Sequence, residues 1–162
     1  MHGTQSLEDI HLLPAHLIRR CHQIAAALFH EECPGNLTPV QYAALSVISR
    51  HEAIDQITLA GLTALNRSTA GDVIDRLEAA GLVLRGSKAG DRRINLVSLT
   101  PAGRERLREL EAPVKAVQRR LLAPLDDEEQ EIFIRLLAKV ANENNEMSRA
   151  PLRRAPLRLQ RA

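Results

Sequence analysis

The chain has 162 residues, 44% of them hydrophobic, and a formal net charge of +2, enough apolar material for one domain with an extension. One Tyr, two Phe and no Trp leave few rings to stack on unpaired bases, so a reader of single-stranded nucleic acid is disfavoured. Cys21 and Cys33 lack zinc-ligand spacing and are too few for a disulfide framework. No apolar run reaches the roughly 18 to 20 residues of a membrane span, and the first residues lack the order of a secretion signal. A cytoplasmic protein with no membrane partner is expected.

The charge is unevenly distributed. The last sixteen residues, 147–162, hold five Arg and no acid, leaving seventeen basic against twenty acidic residues before them. This tail, with two prolines and no sustained period, reads as disordered and as a source of salt-sensitive, non-specific affinity for a polyanion.

From residue 12 to residue 32, Leu17, Ile18, Cys21, Ile24, Ala25, Leu28 and Phe29 recur at helical spacing and predict a long amphipathic helix ending before Pro34-Gly35. Thr38, Pro39 and Gln41 form a capping box with proline at the first helical position, and open a second helix to about His51. A short third helix is expected over residues 58–65. Asn66 caps a fourth, residues 67–80, stopped by Gly81.

Two β-rich runs, 82–85 and 94–99, flank a turn built on Gly86 and Gly90 and should pair as an antiparallel hairpin. Thr100-Pro101 caps a long fifth helix whose Leu107, Leu110, Val114, Val117 and Leu121 form a seam for another helix. Pro113 inside that seam should kink it. After Pro124, the acids 126–129 sit on the positive end of a sixth helix running to about Asn144, with Phe133, Leu136, Leu137 and Val140 inward.

Helices followed by a hairpin describe a mainly α fold, a winged helix-turn-helix with a two-stranded wing. Residues 37–99 form its DNA-binding part; residues 11–33 and 100–146 carry surplus apolar face, best explained as a homodimerisation region; residues 147–162 are the tail. In the fourth helix Ser68, Gly71, Asp72, Asp75 and Ala79 are expected outward. Within the outward part of the first two turns, Ser68 and Thr69 suit base or phosphate contacts, and Arg67 and Arg76 suit phosphates. Asp72 accepts from cytosine N4 but is repelled by phosphates, so it restricts sequence rather than adding affinity. In the hairpin, Arg85, Lys88, Arg92 and Arg93 stand against Asp91 alone. Arginine at such a tip is attracted to a narrow minor groove, with Asp91 orienting one of them.

LTPVQYAALSVI followed by LNRSTAGDVIDRLEAAGLVLRGSKAGDRRINLVSLTPAGRERL resembles the MarR family of bacterial transcription regulators, over about residues 12 to 144. The most specific stretch is GDRR running into VSLTPAG. The resemblance implies a homodimer on double-stranded DNA with a pseudo-palindromic operator, usually repressing, and released by a small ligand or an oxidant. It places Ser68, Thr69 and Asp72 on the recognition helix, Arg92 at the wing tip and Asp91 as its partner. Ala70-Gly71-Asp72 departs from the polar or basic residues that many members carry there.

HLIRRCHQ and QYAALSVI are similar to members that control degradation of aromatic acids. His16, Arg20 and Gln23, at i, i+4 and i+7, would offer a cation and donors to a carboxylate, with Tyr42 beside them in an apolar cleft. An aromatic carboxylate effector is therefore expected. The alternative sensor is Cys21, placed where peroxide-sensing members keep a reactive thiol, although the tyrosines of that branch are missing apart from Tyr42. His30, Glu31, Glu32 and Cys33 make a poor metal site, since no His follows His51, and neither metal nor cofactor is expected. No nucleophile elbow or phosphate loop suggests an enzyme. A helical adaptor that does not bind DNA would leave the hairpin arginines unexplained.

Overall fold

The computed structural model describes residues 9–88 and 91–153, without the side chains of Lys88 and residues 91–94. A 3-10 turn, Ile10–Leu12, precedes α1, Pro14–Glu32. Then come α2 (Pro39–Ile48), β1 (Ile54–Asp55), α3 (Gln56–Leu62), α4 (Arg67–Ala79), β2 (Val83–Lys88), β3 (Asp91–Leu99), α5 (Pro101–Leu122) and α6 (Asp127–Glu143). This is a mainly helical winged helix-turn-helix with a small antiparallel sheet in the order β1-β3-β2.

Local chemistry explains most boundaries. The capping box at α2 forms as expected: Gln41 N–H donates to Thr38 Oγ1 at 3.2 Å, and Thr38 N–H to Gln41 Oε1 at 2.8 Å. A second capping box opens α6 through Asp126 and Glu129. The third helix starts two residues earlier than its periodicity suggests, because Asp55 caps it. That carboxylate accepts from the Ile57 and Thr58 amides, both at 2.9 Å, and from Thr58 Oγ1 at 2.6 Å. The helix ends early, at Leu62, in a turn where Ala64 takes φ +53°. Asp55 also belongs to β1, a strand too short to leave any period in the sequence, which pairs Ile54 with Val97 and Asp55 with Leu96.

The wing is the β2–β3 hairpin, in register from Val83 opposite Leu99 to Ser87 opposite Asn95, with an irregularity between Ser87 and Lys88. Its base is locked to α5. Gly81 at φ +71° turns the chain out of α4, and Thr100 Oγ1 donates to the Gly81 carbonyl at 2.7 Å. Thr100 N–H donates to the Leu82 carbonyl at 3.1 Å and its Oγ1 accepts from Gly103 N–H at 3.0 Å. Gly103 is buried so closely against that Leu82 carbonyl that no Cβ fits.

The core joins α2, α3, α4 and the sheet through Leu45, Ile48, Leu59, Ile74, Leu77 and Val97, and continues into Phe29, Leu110 and Val117 of α1 and α5. The expected seam of α5 is thus taken up in part inside the chain, where α5 packs mainly on α1: Leu110 and Val117 are buried, while Leu107, Val114 and Leu121 are half-buried. It runs through Pro113 as one helix. By contrast α6 has no buried residue, and Phe133, Leu136, Leu137 and Val140, expected to face inward, are exposed. The tail is also corrected in part. Residues 148–153, expected to be disordered, continue from a 3-10 turn at Asn145–Met147 and reach α3, where Arg153 N–H donates to the Gly61 carbonyl at 2.8 Å. Residues 154–162 lie outside the described part.

Candidate nucleic-acid interface

The probe for a groove is α4. Asn66 caps it by accepting Thr69 N–H at 2.8 Å, while Gln56 Nε2 of α3 donates to the Arg67 carbonyl at 2.9 Å. These two bonds fix the first turn at the angle α3 sets. Ala70, Val73, Ile74 and Leu77 are buried, as the period requires. Arg67, Ser68, Asp72 and Arg76 are exposed, and Thr69 is half-buried. Gly71, expected outward, is half-buried. It lies against Gln56, whose Nε2 would be 2.9 Å from an added Cβ, so its small size serves the α3–α4 contact.

Arg85 also changes role. Its guanidinium makes ion pairs with Asp75 and Glu78 on α4, and the hydrogen bond to Asp75, aided by that to Glu78, raises its pKa further. In the free chain it therefore ties the wing to the recognition helix, which lowers the hairpin's unpaired positive charge. Sequence reading counts charges but not pairings; Asp75 and Glu78 sit one turn apart and were the available signal. The side chains of Lys88, Asp91, Arg92 and Arg93 lie outside the described part, although the backbone pairs Lys88 with Asp91 at the tip. Arg76, assigned to phosphates, lines a hollow of roughly 560 Å³ with Leu82, Arg106 and the 34–38 segment.

The expected effector residues are not gathered in one place. His16 is half-buried, with an Nε2 that has no hydrogen-bond partner among the described residues. Arg20 is exposed. Gln23 Oε1 accepts from Arg19, not Arg20, at 2.9 Å. Tyr42 instead packs on Phe29, ring centroids 5.9 Å apart, and lines a cavity of roughly 450 Å³ between α2 and α5. Three cations, Arg50, Arg104 and Arg108, share that cavity with Leu99, Leu107 and one carboxylate, Glu111, which is itself paired with Lys115. Sequence reading missed them. Arg104 and Arg108 at i, i+4 on α5 were a usable sign, but α2 as the opposite wall was not visible from α5 alone.

Cys21 is exposed and Cys33 buried; burial pushes the Cys33 thiol pKa up, partly opposed by Arg106. Glu31 and Glu32, considered as metal ligands, pair with Arg120, at 2.9 and 2.5 Å. No helix among the described residues is long and apolar enough to cross a membrane.

Residues 37–94 match the family model described as MarR family. The transcriptional regulator HosA of Escherichia coli O157:H7 is 33% identical over 128 residues, covering 78% of this chain and 93% of HosA. The chain belongs to the MarR family. Family structures superpose closely. PcaV from Streptomyces coelicolor, in complex with its natural ligand, has a TM-score of 0.78 at 32% identity, covering 84% of this chain and 96% of PcaV. BpsR from Bordetella bronchiseptica, whose DNA binding is regulated by 6-hydroxynicotinic acid, reaches 0.79 at 28% identity, covering 85% and 99%. The chain is thus a MarR-family transcriptional regulator, and its family relatives are regulators rather than enzymes.

Proposed function

We propose that this regulator is a homodimeric repressor that binds a pseudo-palindromic operator in double-stranded DNA and is released by a small aromatic or heteroaromatic carboxylic acid. The observation that carries the DNA reading is α4: a capped, buttressed helix whose exposed first turn bears Arg67 and Ser68. The dimer reading is supported by α6, a helix of 17 residues with no buried side chain. Helices in proteins owe most of their stability to packing of an amphipathic face, so the apolar face of α6 needs a cover. A second copy provides the same face by symmetry.

The effector reading is supported by BpsR, whose DNA binding is regulated by 6-hydroxynicotinic acid, and by the cavity behind Tyr42. A ring of benzoate size suits its Leu99 and Leu107 walls, and an arginine there suits a carboxylate bidentately. His16, Arg20 and Gln23 remain candidates for the same carboxylate in the dimer. Ligand releases DNA only by preferring the spacing of recognition helices that mismatches the operator.

The test combines a gel shift on the chain's own promoter region with a thermal-shift screen of benzoate, hydroxybenzoate and nicotinate compounds. Binding to the promoter fragment, lost on adding a stabilising acid, is expected. Arg92→Ala should weaken operator binding by about 1 to 3 kcal/mol with little change in folding. Arg104→Ala and Arg20→Ala assign the carboxylate anchor, according to which one abolishes the thermal shift. Release by peroxide, abolished in Cys21→Ser, with no response to any acid, would replace the acid sensor by a thiol sensor.

A further inference from the structure

We propose that residues 145–153 form a strap that fastens the end of α6 to α3 within one chain, and that its docking holds the winged-helix unit in the arrangement competent for DNA. The functional half of this statement rests on the DNA-binding reading above; the structural half does not.

Three observations converge on the strap. Asn145 clasps it: Leu152 N–H donates to Asn145 Oδ1 at 2.7 Å, and Asn145 Nδ2 donates to the Leu152 carbonyl at 3.2 Å. One residue later, Arg153 N–H donates to the Gly61 carbonyl at 2.8 Å. That carbonyl belongs to the last turn of α3, where it also receives the Ala64 amide at 3.5 Å, so the strap supplies its short bond. Finally, Gly61 provides a track. Its φ is not positive, so the turn does not require glycine. An added Cβ would instead meet Arg153 Cβ at 3.1 Å, Cδ at 3.3 Å and Cγ at 3.4 Å. A glycine inside a helix is a loss of propensity relative to any ordinary residue, and the space it leaves here is occupied by the arginine stem.

The position of the strap gives it leverage. No residue of α6 is buried in the single chain, and all but Gln130 are exposed, so the strap is a direct path by which the end of this helix restrains α3. From α3 the restraint passes through Gln56 to the Arg67 carbonyl at the start of the recognition helix. Few bonds and one side-chain stem hold the strap, so it opens without global unfolding. A docked strap prepays the ordering of the winged-helix unit, and a released one returns that cost to DNA binding.

The experiment uses the full chain, Gly61→Leu, Asn145→Ala and a truncation after Arg153. Gly61→Leu fills the track with a good helix former and leaves the buried Leu59 and Ala60 of α3 in place; Asn145→Ala opens the clasp without touching the winged helix. Hydrogen exchange at the Arg153 amide reads docking, and operator affinity reads its consequence. Protection at Arg153 is expected in the full chain and in the truncation, and its loss in both substitutions. Both substitutions should weaken operator binding by about tenfold, as loss of a pre-organising contact does. Truncation after Arg153 should keep that share of affinity. An Arg153 amide that exchanges as in an open chain in the parent overturns the strap. Unchanged or tighter operator binding in both substitutions overturns its function. Should the parent bind no operator while Arg153 stays protected, the DNA reading fails and the strap stands.

Discussion

The winged-helix unit and α6 spend their apolar residues in opposite ways. Leu45, Ile48, Leu59, Ile74 and Leu77 are fully buried by neighbours from the same chain, whereas Ile132, Phe133, Ile134, Leu136, Leu137 and Val140 expose between 37% and 54% of their surface. Capping, sheet pairing and side-chain contacts complete the first region locally. The second is amphipathic and well capped, yet has nothing buried on its own chain. One sequence thus contains a unit whose structure is closed and a helix whose stability depends on what covers it, which is the arrangement a switchable dimer of rigid readers requires.

The largest expected effect breaks the closed region. Gly103→Ala places a methyl group against the Leu82 carbonyl, a backbone atom that already accepts from Thr100 N–H at 3.1 Å and cannot rotate away. We expect destabilisation of about 3 kcal/mol, at the upper end for overpacking. A urea midpoint within experimental error of the parent would show that α5 and the wing base shift together to make room.

Next comes the open region. Phe133→Asp should leave the winged-helix core intact and remove about 2 to 3 kcal/mol of apolar burial per copy from the proposed dimer. Light scattering should then report monomers at a concentration where the parent is dimeric. A dimer of unchanged mass would assign the interface elsewhere, the exposed Leu17, Ile18 and Ile24 of α1 being another apolar surface among the described residues.

These two regions were unequally legible in the sequence. The caps at Thr38, Asn66, Thr100 and Asp126 act within three residues, so their residues could be read directly. The seam from Leu107 to Leu121 was equally visible, but periodicity says only that a face is apolar, not which helix covers it; α1 of the same chain does so. Pairings across long separations were invisible for the same reason. Arg85 looked like a DNA contact until the fold brought Asp75 and Glu78 to it, and Tyr42 met Arg104 and Arg108 only through tertiary packing. The strap escaped because proline-interrupted, arginine-rich sequence resembles disorder, and its partner is a glycine 92 positions away.

A smaller effect sharpens the account of the closed region at the entrance to the helix-turn-helix. Burial raises the pKa of Asp55, but hydrogen bonds from the Thr58 hydroxyl and from backbone amides outweigh it and hold the carboxyl below its usual range. A depressed folded pKa means that the cap contributes fully above the unfolded value and is lost as pH falls through the folded one. Asp55→Ala should therefore cost about 1 kcal/mol at neutral pH, and the difference from the parent should shrink below about pH 4, where the unfolded carboxyl protonates. A gap constant down to pH 2 would make Asp55 a β1 residue first and a cap second.

The smallest effect concerns two turns built alike. Leu65 N–H donates to the Ala60 carbonyl and Leu82 N–H to the Leu77 carbonyl, each at 2.9 Å and each closing a helix through a residue of positive φ. At the end of α4 that residue is Gly81; at the end of α3 it is Ala64. An L side chain in this region costs roughly 1 to 2 kcal/mol, while glycine costs roughly 0.5 to 1 kcal/mol in unfolded-chain freedom. Ala64→Gly should therefore stabilise by about 0.5 kcal/mol, and Gly81→Ala should destabilise by a similar or larger amount through its positive φ alone, since nothing lies within 4 Å of the Cβ it would add. Thermal melts of the two variants test the pair. A stabilised Ala64→Gly with weakened operator binding would assign the alanine to function: a stiffer turn, held at some cost in stability, that fixes the angle between α3 and the recognition helix. Unchanged operator binding would make it a stability defect that the fold tolerates.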